Sequence, residues 1–220
     1  MVHSLCTHSA VDARRPDNVD ATLLAPCGTR RTRSGTLVMR QHHAHDASRA
    51  RVQAYIQHRY RQAFGATVTH WLPTLVSLEQ DGEVIAAAGY RAATERLFLE
   101  QYLCAPVQWY LAEPGLSAPP RERIAEVGHF AAMRAGAGRL LVPLLARHLS
   151  ACGFDWSVIT ATRELHHLFS RMGLAPMSLA RADDTHLSPA ERTAWGTYYE
   201  HEPIVVAGRL SQVIVELEQA

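Results

Sequence analysis

The chain has 220 residues, 47% of them hydrophobic, and a formal net charge of +1. That is enough for one α/β domain with a real core. The near-neutral charge gives no electrostatic case for nucleic acid or an acidic membrane surface. All 22 basic residues are arginine, which excludes a lysine nucleophile or Schiff base.

Residues 1 to about 34 are rich in Arg, Asp, Thr, Ser and Pro without hydrophobic period and read as a mobile leader. They lack a charged segment followed by an apolar one, so no secretory signal is expected. Thr36–Arg40 reads as a strand. Asp46 or Ser48 caps a helix with Val52, Tyr55, Ile56, Tyr60 and Phe64 on one face, stopped by Gly65. Leu72–Leu78 and Val84–Tyr90 are strands joined by a turn at Asp81-Gly82. Leu97-Phe98-Leu99-Glu100-Gln101-Tyr102-Leu103 is apolar with a carboxylate embedded in it, and Ala105–Leu111 reads as a short helix.

The stretch from Glu126 to Leu149 is the most informative. A short apolar strand (Ile124–Phe130) runs into Arg134-Ala135-Gly136-Ala137-Gly138-Arg139, and an amphipathic helix follows. Glycines let backbone N–H groups approach a ligand closely, and a helix start carries partial positive charge. The unit is an anion cradle suited to a phosphate, although a glycine-softened entry to an ordinary helix would look similar. No Lys-Ser/Thr follows as in a P-loop, and G-x-G-x-x-G is absent. Further on come a strand at Trp156–Ala161, a helix at Arg163–Met172, a strand at Leu174–Leu179 and a short helix opened by Ser188-Pro189-Ala190-Glu191. A strand at Pro203–Ala207 and a helix at Leu210–Leu217 close the chain. The order predicts a mixed central sheet flanked by helices on both faces.

The glycine turn resembles the acyl-carrier-binding turn of the GCN5-related acetyltransferase (GNAT) fold, Arg/Gln-x-x-Gly-x-Gly/Ala. Met133 stands where the Arg or Gln belongs. The element order is also that of the GNAT fold. LFLEQYL (97–103), EVGHFA (126–131), FDWSVITAT (154–162), LFSRMGLAP (168–176) and WGTYYEHEPIVVAGRL (195–210) together resemble the thermostable hemolysin family, a GNAT-like acyltransferase group. The resemblance covers about residues 50 to 212. It implies a GNAT-like domain over 35–220 and acyl transfer from a thioester, although the family name comes from a hemolytic activity ascribed to one member.

Glu126, at the end of the strand that faces the acyl donor in such folds, is a candidate general base; the alternative is an ion pair with Arg121 or Arg123. His129 is a second candidate base or a satisfied core histidine. Period-2 alternation puts it on the opposite face from Glu126 unless a bulge intervenes. Burying Glu100 unpaired would cost several kcal/mol, so it is exposed, paired or used, and recognition of the substrate amine is the preferred reading. Tyr198 can protonate a leaving thiolate or simply pack with Tyr199. Candidate donor contacts are Gly128, Phe130, Ala131, Arg134, Gly136, Ala137, Gly138, Arg139 and Thr160. Capping by Thr162 competes with the use of Thr160.

The histidines at 42, 43, 45, 166 and 167 do not form a closed metal-ligand set, and the cysteines (Cys6, Cys27, Cys104, Cys152) form no C-x-x-C pair. No apolar run is long enough to span a bilayer, so a reduced, cytoplasmic location is expected.

Two functions remain open. One is an N-acyltransferase using acyl-CoA or a phosphopantetheinyl acyl-carrier protein as co-substrate, with no tightly bound cofactor and a small amine as acceptor. The shortened turn suits the carrier protein, which offers one phosphate. The other is a membrane-active or non-catalytic acyl- or lipid-binding protein with the same fold.

Overall fold

The computed structural model describes residues 29–32, 35–133 and 136–219. Among these, the strands are β1 (Thr29–Thr32), β2 (Gly35–His42), β3 (Thr74–Gln80), β4 (Glu83–Ala92), β5 (Ile124–Ala132), β6 (Trp156–Ala161), β7 (Met177–Arg181) and β8 (Ile204–Arg209). The helices are α1 (Arg49–Phe64), α2 (Val107–Tyr110), α3 (Ala137–Ala151), α4 (Arg163–Ser170), α5 (Pro189–Trp195) and α6 (Leu210–Gln219). The strands form one sheet in the order β1-β2-β3-β4-β5-β6-β8-β7. Within it β5 and β6 run parallel and are joined through α3, because a parallel pair needs a crossover.

Side-chain alternation explains why helices cover both faces. Leu75 and Ala87 pack with Val52, Ile56 and Tyr60 of α1. Their neighbours Val76, Ala86 and Ala88 point the other way, into a core shared with Leu141, Leu145 and Leu149 of α3 and Leu210 of α6. The β3–β4 hairpin closes through Asp81 (φ 51) and Gly82 (φ 86), the left-handed pair such a turn requires. Gly65 ends α1 at φ 66, and α5 starts on the expected Ser188–Glu191 capping box with Pro189 in its first turn.

Several expectations need correction. The leader lies outside the described residues as far as 28, but Thr29–Thr32 pair with β2 as an edge strand. Phe98–Tyr102 is a 3-10 helix. The strand expected from Leu174 begins only at Met177, after Pro176, whose ring nitrogen has no hydrogen for a ladder. Ser48 occupies the first cap of α1 without capping it, because its Oγ lies 2.8 Å from His42 Nδ1.

One contact fixes the last third of the chain to α1. Gly196 (φ 54) follows α5, and its backbone lies against Phe64 so closely that a Cβ would sit 2.1 Å from the Phe64 carbonyl oxygen. The Thr197 N–H donates to that carbonyl at 2.8 Å, and the Thr67 N–H donates to Ala194 O at 2.7 Å.

Candidate functional site

β5 pairs with β6 only from Ile124 to Val127, opposite Trp156 to Ile159. Beyond that point β5 stays with β4, while β6 pairs with β8 along its whole length. The two parallel strands therefore splay, and the edge of Gly128–Ala132 that would face β6 has no strand partner. At the same place the β4–β5 register shifts between Ala87 and Gly89, so β5 carries a bulge at His129 and Phe130. His129 adopts φ 53, left-handed for a residue with a side chain.

The splay opens into a cleft of about 1120 Å³. That is large for a single small ligand and leaves room for two substrates. One wall is β5 from Glu126 to Ala132; the others come from the end of α1, the 67–72 loop, the start of α3, α4 and the Trp195–Tyr199 segment. A second cavity of about 250 Å³ lies beneath, between α3, α6, β6 and β8, and shares Val127, Phe130 and Ile159 with the cleft.

Of the candidate residues, Glu126, Gly128, His129, Phe130, Ala131, Gly136, Gly138, Arg139, Thr160 and Tyr198 all line this cleft. The bulge breaks the period-2 alternation, so Glu126 and His129 reach the same space. Arg134 lies outside the described residues, and Ala137 is buried in the α3 core.

Glu126 is 4% exposed. Its partner is neither Arg121 nor Arg123 but Arg91, its cross-strand neighbour on β4, whose Nε donates to Oε2 at 2.6 Å. Oε1 accepts the Leu99 N–H at 3.0 Å. Each oxygen thus keeps a lone pair for a ligand.

His129 Nε2 is 3.1 Å from the His70 carbonyl, which can only accept, so Nε2 carries the hydrogen. Burial lowers the ring's pKa to about 4 against the opposing effect of that hydrogen bond, so the imidazole is neutral. Its Nδ1 is left buried without a partner among the described residues. The ring stacks on Trp71 at 5.2 Å between centroids.

Tyr198 is buried and stacked on Tyr60, and its hydroxyl donates to Thr160 O at 3.3 Å. Burial pushes its pKa well above 10, so the phenol stays protonated. Tyr102 and Tyr199, also in the cleft, share a 2.5 Å hydrogen bond. Thr162 caps α4 through a 3.5 Å contact with the Leu165 N–H.

Glu100 is not in the cleft, and its expected role in amine recognition is corrected by its contacts. Oε1 accepts the Val107 N–H and Arg121 Nη1; Oε2 accepts the Leu97 N–H and Arg121 Nη2, at 2.7 to 3.0 Å. Burial alone would raise its pKa, but the Arg121 hydrogen bonds and the two backbone donors outweigh it and bring the carboxyl down to about 2. Glu100 is therefore an anchor for the 97–107 segment.

Because its folded pKa lies below the unfolded value, its contribution is complete above about pH 4.5 and lost as pH falls towards 2. Glu100→Gln should cost about 3 kcal/mol at pH 7. Denaturant titrations should show wild type and variant converging below pH 4.

The start of α3 offers uncommitted backbone N–H groups. Leu140 is the first residue whose N–H is taken by the helix, at Gly136 O, so the N–H groups of Ala137, Gly138 and Arg139 lack a helical acceptor. Neither glycine uses positive φ. Gly136 faces open space, whereas a Cβ on Gly138 would lie 2.9 Å from Leu168 Cδ2 and 3.6 Å from the Phe130 ring. A side chain at Gly138 would thus have to displace the Leu168 side chain.

Sequence reasoning missed the 67–72 loop, Tyr60, Arg91 and Arg96 as cleft residues. The loop carries only Trp71 as a hint.

No curated protein sequence matches the chain. Solved structures with a similar fold include the acyl-homoserine lactone synthase LasI (TM-score 0.56, 12% identity, covering 84% of this chain and 95% of that chain). TofI in an apo form gives a TM-score of 0.55 at 15% identity over 82% and 95%. FeeM, an N-acyl amino acid synthase from uncultured soil microbes, gives 0.54 at 13% over 81% and 98%. Identities this low establish a GNAT-like fold and nothing finer. The sequence pattern of the thermostable hemolysin family matches residues 42–214, and the chain belongs to that family.

Proposed function

We propose that the protein is an N-acyltransferase that moves an acyl group from an acyl-CoA or acyl-carrier-protein thioester to an amine. The splay carries this reading. It presents an unpaired strand edge, Gly128–Ala132, that leads along the cleft to the start of α3. A pantetheine arm is a string of amides and can pair with such an edge as a further strand would, with its phosphate at the N–H groups of Ala137–Arg139. The acyl chain continues past Val127, Phe130 and Ile159 into the second cavity.

The amine attacks the thioester carbonyl. Backbone N–H groups of the splayed edge hold the developing oxyanion, and Glu126 takes the proton that the amine loses. Collapse breaks the C–S bond, and Tyr198, which keeps its proton until then, protonates the thiolate. His129 positions the bulge through His70 and Trp71. Among the described residues no helix is long and apolar enough to cross a membrane, so nothing observed favours the membrane-active reading.

The test is thiol release from acyl-CoA and acyl-carrier-protein donors of C2 to C16 chain length, with a panel of amines. Amine-dependent release from at least one donor is the expected result. Donors that neither bind nor react would overturn the proposal.

The glycine turn gives a second check. Gly136→Val should leave the melting temperature unchanged, because it meets only open space, yet weaken CoA binding roughly tenfold by keeping phosphate from the helix start. Unchanged affinity by calorimetry would remove the turn from the site. Gly138→Val should lower both stability and affinity, by disturbing Leu168 and Phe130.

A further inference from the structure

The cleft holds more fixed cations than free anions. Its carboxylates are engaged: Glu126 by Arg91, Glu164 by His201 at 2.9 Å, and Glu191 by Ser188 in the α5 cap. Of its guanidinium groups, Arg91 and Arg96 keep donors free near Glu126, while Arg171, which also makes no ion pair among the described residues, stands beside Arg139 of α3. Arg91 gives only Nε to Glu126, and both its Nη groups lack an acceptor among the described residues. Arg96, in the loop after β4, lines the same cleft and makes no ion pair or hydrogen bond with any described residue.

Arg91 is far from the start of α3, and Arg96 lies three residues before Leu99, whose N–H bonds to the same Glu126. Glu126, opposite Arg91, is seven residues from Met133, just past the end of β5, roughly 20 Å at strand spacing. A donor phosphate held at α3 leaves its thioester between the two ends and does not neutralise Arg91 or Arg96. Another anion fits there. A guanidinium fork matches a carboxylate bidentately.

Arg91 and Glu126 are also in direct contact, a cation and an anion side by side. An α-amino acid carries its ammonium and carboxylate on one carbon and is the complement of such a pair. We propose that Arg91 and Arg96 form a carboxylate-binding subsite, and that the acyl acceptor is an α-amino acid whose amine is held at Glu126. The acceptor assignment rests on the acyltransferase reading; the subsite itself does not.

The experiment separates the two. Binding of amino acids, each paired with its decarboxylated amine, is measured by saturation-transfer NMR on the full chain with and without CoA. Acyl transfer to the same pairs is followed in parallel. At least one amino acid should bind, its decarboxylated partner about 100-fold more weakly. Arg96→Gln, at an exposed position without a partner among the described residues, should erase that difference while the melting temperature and CoA affinity stay unchanged.

Arg91→Lys keeps the cation on Glu126 but loses the fork. It should raise the amino-acid KM by 10- to 100-fold with kcat changed far less. Equal binding of acid and amine, no binding of any amino acid, or discrimination that survives in Arg96→Gln would each overturn the subsite. Selective binding with no acyl transfer from any donor would leave the subsite standing and remove both the acyltransferase reading and the acceptor role.

Discussion

Glu126→Gln is expected to lower turnover by at least ~100-fold while CoA affinity stays within a few-fold of wild type. The amide keeps the volume and one acceptor oxygen, so the Arg91 Nε contact can persist while the Leu99 N–H loses its acceptor, or the reverse. It cannot take a proton from the amine, and general base catalysis typically contributes about 10²–10⁴-fold. Donor contacts lie further along β5 and at α3, which explains why the effect should fall on kcat. Glu100→Gln is the control, another buried carboxylate, arginine-paired but outside the cleft. It should lose stability and leave turnover per folded molecule unchanged. If Glu126→Gln retains activity within a few-fold, the reaction needs no base from the protein and proceeds by positioning and oxyanion stabilisation.

Gly196→Ala should remove at least ~3 kcal/mol of stability. At φ 54 and ψ −124 the backbone suits glycine, and the new Cβ would overlap the Phe64 carbonyl, with Gly65 C only 3.1 Å away. Both obstacles are backbone atoms and cannot rotate aside. Relief requires separating the segment after α5 from the end of α1, breaking the Thr197–Phe64 and Ala194–Thr67 hydrogen bonds. Trp195, Tyr198 and Tyr199 would move with it, so activity should fall as well. A loss below about 1 kcal/mol in denaturant unfolding would show that this junction is softer than its geometry implies.

Features set by adjacent residues could be read from the sequence. Gly65, Asp81-Gly82 and Ser188-Pro189-Ala190-Glu191 mark their own structures because the required φ values and caps are satisfied locally. The β5–α3 unit was legible for the same reason.

What escaped depends on partners distant along the chain. Glu100 finds Arg121 21 residues on, and Glu126 finds Arg91 35 residues back. A buried carboxylate announces that it needs a partner but not which arginine supplies it. The bulge had no local sign either, since a histidine at φ 53 breaks the usual preference for glycine. The role of Glu100 was consequently misread from its apolar setting.

Trp71 lies in the cleft wall with its ring against His129, and Trp195 stands across from it beside Tyr198. Trp156 lies under Arg209 on the far side of β6, and Trp109 is 63% exposed. Indole emission shifts with the polarity of its surroundings. The cleft therefore carries its own optical gauge. Displacement of water by a bound donor would blue-shift Trp71 and Trp195, an acyl chain that reaches the second cavity would shift Trp156 as well, and Trp109→Phe would remove the solvent-facing background without touching the cleft.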